Sequence, residues 1–125
     1  MKLDWDVGLV AHLGIEFVEV EPDRVRARLQ VSDKLLTTTG TVHGGTLMAF
    51  ADTIGAAGTV ANLSEGQRTA TLESKTNFIS ACRAGWITAE AKPIHKGKRT
   101  HVWETRVTDE SGKLLSITTQ TQMIL

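Results

Sequence analysis

The stretch TVHGGTLMAFAD, residues 41–52, concentrates the side chains and backbone groups best suited to chemistry. His43 precedes two adjacent glycines, an apolar run follows, and Asp52 interrupts that run. The first N–H groups of a helix have no partner inside the helix, and the helix dipole makes that end partly positive. Without side chains at Gly44 and Gly45, a ligand carbonyl can reach those donors, which is the geometry of an oxyanion hole. The alternative is that the glycine pair serves only a tight turn. Asp52 also carries two readings. A carboxylate in an apolar helix is costly unless paired or hydrogen-bonded, so it is either a structural acid bonded across an interface or a reacting base or nucleophile.

Spacing constrains these readings jointly. Eight residues separate Gly44 from Asp52, about 12 Å along a helix axis. A carbonyl oxygen and the atom attacking its carbon must each lie within roughly 3 Å of their catalytic groups. One helix can hardly serve both, whereas two antiparallel copies can. If both residues are catalytic, the site is shared between subunits.

The elements that must hold these residues follow from periodicity. Residues 44 to about 63 read as one long helix, with Leu47, Phe50, Ile54 and Ala57 at helical spacing. Leu47, Phe50 and Ile54 form a bulky stripe expected to face a sheet. Met48, Asp52, Gly55, Ala56 and Thr59 form a second, mostly small stripe, read as a subunit contact or else as tight packing within one chain. Residues 3–14 suggest a short helix ending near Gly14. IEFVEV (15–20) reads as a strand whose apolar phase changes between Phe17 and Val18, the signature of a bulge. In RVRARLQV (24–31), Val25, Ala27, Leu29 and Val31 alternate with polar residues, as in a strand with one wet face. Residues 32–42 read as a loop. Four further strands are expected within 67–80, 85–96, 98–109 and 113–125, with hairpin turns at Gly97 and across DESGK (109–113). Short turns make the sheet mainly antiparallel, so the fold class is α+β, a single domain over residues 1–125.

Composition narrows the function classes. The chain has 125 residues, 41% hydrophobic, with 14 basic and 14 acidic residues. That balance argues against a general nucleic-acid binder or a polybasic membrane binder. No run approaches the roughly 20 apolar residues of a membrane span, and the start does not resemble a signal peptide. Cys82, the single cysteine, cannot form an intrachain disulfide and has no activating partner nearby in sequence. A cytoplasmic location is expected. The four histidines show no zinc-ligand spacing: His12 ends the first helix, and His95 and His101 lie in strands. Lys96, Lys98 and Arg99 around Gly97 are either a solvated hairpin tip or a clamp for phosphates.

Residues 40–55, GTVHGGTLMAFADTIG, resemble the signature of hotdog-fold acyl-CoA thioesterases of the PaaI-like, phenylacetate-degradation type. TLESKTNFISACRAG (71–85) resembles that family's third strand, and residues 97–116 its fifth strand, hairpin and last strand. The resemblance implies a long central helix wrapped by a curled sheet of about six strands, assembled as homodimers or homotetramers. It implies hydrolysis of an acyl-CoA thioester to a free acid and CoA. The CoA ester is then the substrate, and no cofactor or metal is implied. By the same resemblance Gly44 supplies the N–H that polarises the thioester carbonyl, with Gly45 beside it. His43 caps the turn, and Asp52 is the catalytic carboxylate from the partner subunit. Thr71 is the third-strand hydroxyl that positions Asp52's water or the substrate. The hairpin Lys96, Gly97, Lys98 and Arg99 becomes the candidate CoA clamp. Thr37 departs from the pattern. Many relatives carry Asn or Gln six residues before the histidine, and a hydroxyl cannot reproduce an amide's paired donor and acceptor. Thr38 and Thr39 are the neighbouring substitutes. Two rivals stand beside hydrolysis: a non-catalytic acyl-CoA binding module, and a hotdog hydratase or dehydratase.

Overall fold

The computed structural model describes residues 2–125. In chain order the elements are α1 (Gly8–Leu13), β1 (Glu16–Glu21), β2 (Arg24–Gln30), a short 3-10 turn (Asp33–Leu35), α2 (Gly44–Val60), β3 (Thr69–Phe78), β4 (Trp86–Lys96), β5 (Thr100–Thr108) and β6 (Leu114–Ile124). The six strands form one sheet in the order β1-β2-β4-β5-β6-β3, with every neighbouring pair antiparallel. The α+β hotdog arrangement is present: α2 lies against strands from across the sheet. Among the described residues, no helix is long and apolar enough to cross a membrane.

Local chemistry explains the boundaries. Gly14 ends α1 in the left-handed conformation, φ 74°, where an L side chain is strained. The register shifts between Phe17 and Glu19, which places the expected bulge at Val18. In β2, Val25, Ala27 and Leu29 are fully buried, and the arginines point outward, with Arg24 paired to Glu19 and Arg28 to Glu16. The Asp109 carboxyl closes its hairpin by accepting from Ser111 Oγ and from the N–H groups of Ser111 and Lys113. Those bonds, the Ser111 hydroxyl foremost, hold it below the usual carboxylate range.

Four expectations are corrected. The first helix begins at Gly8, not near residue 3, because Val7 is extended and the Asp6 N–H is taken by Asp4 Oδ1 in a turn before it. α2 stops at Val60, not near residue 63, because Asn62 and Leu63 switch to i→i−3 bonds on Thr59 and Val60 and Asn62 Nδ2 caps the Gly58 carbonyl. The loop 32–42 contains the 3-10 turn and a bridge between Leu36 and Val42. The small stripe is not one surface: Gly55 and Thr59 are buried against the chain's own sheet. A Cβ on Gly55 would lie 2.2 Å from Gln120 Oε1, and one on Gly58 2.5 Å from the Trp103 ring. Thr59 Oγ1 accepts from Trp103 Nε1 at 2.9 Å and lies 3.1 Å from His101 Nδ1. The curled sheet covers a wider arc of the helix than the bulky stripe of Leu47, Phe50 and Ile54, which is itself buried as expected. Met48, Asp52 and Ala56 remain half-buried on the uncovered side.

Candidate active site

The start of α2 is anchored from both sides. His43 N–H donates to the Leu35 carbonyl at 2.9 Å, Val42 N–H to the Cys82 carbonyl at 2.8 Å, and Thr46 Oγ1 to the Leu35 carbonyl at 3.1 Å. His43 is the N-cap, its ring Nδ1 accepting the Gly45 N–H at 2.7 Å. The ring proton therefore sits on Nε2. A side chain is also unwelcome at Gly45, where its Cβ would lie 2.9 Å from His43 Nδ1.

The two glycines thus have different fates. Gly45's N–H is consumed by the cap, so the row of donors expected at the helix start reduces to one. The Gly44 N–H has no acceptor among the described residues. It opens on a groove of about 400 Å³ lined by Thr37, Val42, Leu47, Phe78 and Ile79 among others. Phe78 lies so close over Gly44 that a Cβ there would stand 3.0 Å from its ring. A free N–H at the positive end of a helix, with apolar Val42, Leu47, Phe78 and Ile79 and the hydroxyl-bearing Thr37, Thr41 and Ser80 around it, is suited to a developing oxyanion. A larger groove of about 480 Å³, between Glu16 and Arg28, contains none of these groups.

Thr37 lines the Gly44 groove, but its hydroxyl is engaged with its own loop. Its Oγ1 lies 3.0 Å from Thr39 Oγ1 and 3.2 Å from Thr41 Oγ1 and accepts the N–H groups of Thr39 and Thr41. Its hydrogen bonds brace the turn.

Asp52 does not line that groove. It is held two turns further along α2 by groups from two strands. Thr71 Oγ1 on β3 donates to Asp52 Oδ1 at 2.7 Å, which brings together the two residues the resemblance paired. Gln120 Nε2 on β6 donates to Asp52 Oδ1 at 3.2 Å and to the Asp52 backbone carbonyl at 3.1 Å. Asp52 Oδ2 has no partner among the described residues.

Sequence reasoning missed Gln120 and its neighbour Gln122. Both are essentially fully buried. Gln120 Nε2 reaches Gln122 Oε1 at 2.9 Å, and Gln122 Nε2 donates to Thr69 Oγ1 at 3.0 Å. Gln120 Oε1, pressed on Gly55, has no hydrogen-bond partner. Leaving a buried carbonyl unpaired costs about 1–3 kcal/mol, so the amide's use lies at its nitrogen, toward Asp52. The signal was present: Ser116, Thr118, Gln120 and Gln122 recur at period two, and a helix glycine faces them.

The basic hairpin lies at the opposite end of α2. Lys96 Nζ is bonded to Asp23 Oδ1 at 2.5 Å and Asn62 Oδ1 at 3.2 Å, which ties the hairpin to the β1–β2 turn and the end of the helix. Gly97 makes the turn, its N–H donating to the Thr100 carbonyl at 2.9 Å. Lys98 and Arg99 are exposed and make no ion pair among the described residues.

Residues 39–116 match the thioesterase superfamily. The chain belongs to that family. It is a thioester hydrolase. It is 36% identical over 111 residues to 1,4-dihydroxy-2-naphthoyl-CoA hydrolase of Listeria monocytogenes, covering 89% of this chain and 90% of the relative. It is 30% identical over 105 residues to the proofreading thioesterase EntH of Cronobacter turicensis, covering 84% and 77%. The crystal structure of a thioesterase from Haemophilus influenzae superposes with a TM-score of 0.89 at 32% identity, over 93% of this chain and 81% of that one.

Proposed function

We propose that the thioesterase hydrolyses an acyl-CoA to a free carboxylic acid and CoA at a site built by two copies of the chain. The Gly44 N–H of one copy holds the thioester oxygen. Asp52 of the other activates water through its unpaired Oδ2, or attacks the carbonyl directly. The observation that carries this reading is the separation within α2: a free donor in a groove without an acid, and a clamped acid about 12 Å away.

Antiparallel pairing of two α2 helices through their half-buried Met48–Asp52–Ala56 side would bring each donor to the other's acid. The edge strand β3, with Leu72 and Phe78 exposed at its edge and Ile79 just beyond it, gives that assembly an apolar border. Such a dimer also gives the hairpin a role. The partner's Asn62 end lies ten residues past its acid, roughly 15 Å along the axis. Lys98 and Arg99 are then displaced from the thioester in the direction a CoA tail extends, suited to its phosphates.

The acyl group is an aromatic one on this reading. The relatives from Listeria monocytogenes and Escherichia coli are named as hydrolases of 1,4-dihydroxy-2-naphthoyl-CoA, and the Phe78 ring in the Gly44 groove offers a planar apolar surface for an aromatic acyl group. A thiol-release screen over aryl, arylacetyl and medium-chain acyl-CoAs tests the choice; the aryl esters are expected to have the highest kcat/KM, and a preference for straight chains would reject it. In the same assay Asp52→Asn is expected to keep its fold and lose turnover by orders of magnitude. Hydrolysis at the wild-type rate by that variant would remove Asp52 from the mechanism. Transfer of labelled oxygen from water to the enzyme carboxylate in a single turnover separates direct attack from water activation.

A further inference from the structure

We infer that Gln122 is a positioning residue that stabilises Asp52 after it has taken the proton from water, by giving the Thr71 hydroxyl a second acceptor. The inference rests on the general-base form of the proposed function.

It follows from counting protons. Thr71 Oγ1 lies 2.7 Å from Asp52 Oδ1 and 2.6 Å from Gln122 Oε1. Both are hydrogen-bond distances, but a hydroxyl has one proton to donate. The amide orientations are fixed by their surroundings. Gln120 turns toward the two oxygens of Asp52, both acceptors when the acid is ionised, so its NH₂ must lie there. Gln122 must then present oxygen to Gln120 and nitrogen to Thr69, whose own hydroxyl proton goes to the Met123 carbonyl at 2.8 Å. Gln122 Oε1 therefore stands beside Thr71 Oγ1 as an acceptor in either state.

The Thr71 proton has two rest positions. With Asp52 ionised, the carboxylate is the stronger acceptor and holds it. In that state Thr71 Oγ1 and Gln122 Oε1 face each other 2.6 Å apart with no proton between them. When Asp52 Oδ2 takes a proton, a water O–H bond breaks and an Asp52 O–H bond forms. Oδ1 becomes the carbonyl of a neutral acid, a weaker acceptor. The Thr71 hydroxyl then rotates to Gln122, and the unfavourable oxygen pair becomes a hydrogen bond. No proton passes through Thr71. The gain appears only as the water is deprotonated, so it lowers the barrier without tightening substrate binding.

No competing charge confuses this exchange. Asp52 is the only charged residue in α2, and β6 has none. Glu73 and Lys75 of β3 stand opposite Thr121 and Thr119, on the sheet face away from Gln120 and Gln122. His101, opposite Gln122 in register, is bonded to Thr59.

The test is a double-mutant cycle on the full-length enzyme with an acyl-CoA substrate. Gln122→Met keeps side-chain length and removes the acceptor. It is expected to lower kcat about tenfold with KM unchanged. In a Thr71→Val background the same Gln122→Met change should cost almost nothing, because there is no hydroxyl to redirect. A role limited to propping up Asp52 through Gln120 would persist without the hydroxyl. An equal kcat loss in both backgrounds, a rise in KM alone, or no loss at all overturns the inference. Gln122→Leu replaces Gln122→Met if thermal melting shows that the latter does not fold. An Asp52→Asn enzyme that still turns over removes the base and this role together; an inactive Asp52→Asn with an uncoupled Gln122 removes only this role.

Discussion

At the scale of single residues, the proposed mechanism divides the chemistry between Gly44 and Asp52, and Gly44 can be tested with unusual specificity. The first position of a helix tolerates proline, which removes only an N–H that has no helical partner. His43, the preceding residue, already has φ −64° and ψ 137°, the extended region that a following proline requires. The Phe78 ring above Gly44 is half exposed and can move aside. Gly44→Pro is therefore expected to fold with a near-normal melting temperature and to lose about 10²–10³ in kcat, the usual cost of an oxyanion donor. Unchanged kcat would assign the oxyanion elsewhere. Asp52 and the glycine pair were legible in the sequence because an acid and two glycines contradict an apolar helix. The resemblance named Gly44 as the donor; that the neighbouring Gly45 N–H is not free was not legible, since it depends on the His43 ring turning back to claim it.

At the scale of elements, α2 is fastened to the sheet by polar contacts that hydrophobic periodicity does not reveal. The inward side chains of β6 at 116, 118, 120 and 122 are polar and fully or nearly fully buried. Thr118, Gln120 and Gln122 bond to one another, to β3 or to α2, whereas Ser116 Oγ is buried without a partner. Glycine spacing in α2 signalled close approach, but only coordinates show that Gln120 and Trp103 of the same chain make it. Thr59, Trp103 and His101 form the other fastening. Burial, with Lys96 and His95 adding positive charge, holds His101 below the ordinary imidazole range. Its folded form stays neutral where the unfolded chain binds a proton, near about pH 6.5. Stability linked to His101 should be complete above that pH and decline as pH falls through the lower folded value. Urea midpoints measured from pH 8 to 5 should drop below about 6.5 in the wild type, and less steeply in His101→Gln. Parallel curves would show that His101 is not the linked group.

At the scale of the whole molecule, the number and order along the chain of the α-helices and strands could be read from sequence, and their neighbours in the sheet only partly. Hairpins at Gly97 and 109–113 declared β4–β5 and β5–β6. Nothing local placed β3 beside β6, at the opposite edge from β1, because that pairing depends on where the chain travels after α2. The same placement brings Thr71 to Asp52 and leaves an apolar edge, the border of the proposed dimer. The proposed dimer then predicts how CoA is gripped. Lys98→Ala with Arg99→Ala should raise KM for an acyl-CoA about tenfold, through lost charge-assisted contacts, and leave KM unchanged for the same acyl group on pantetheine. Equal effects on both thioesters would place the hairpin away from the phosphates.

The central claim is that each site takes its donor from one chain and its acid from another. Subunit complementation tests it most directly. Gly44→Pro and Asp52→Asn enzymes are each expected to be nearly inactive. Unfolded together and refolded as a mixture, half of the dimers should contain one copy of each, and each mixed dimer should have one site with both functional groups. Recovery of about a quarter of wild-type activity is predicted. A refolded mixture no more active than its components, with mixed dimers demonstrated by mass spectrometry, would contradict a shared site.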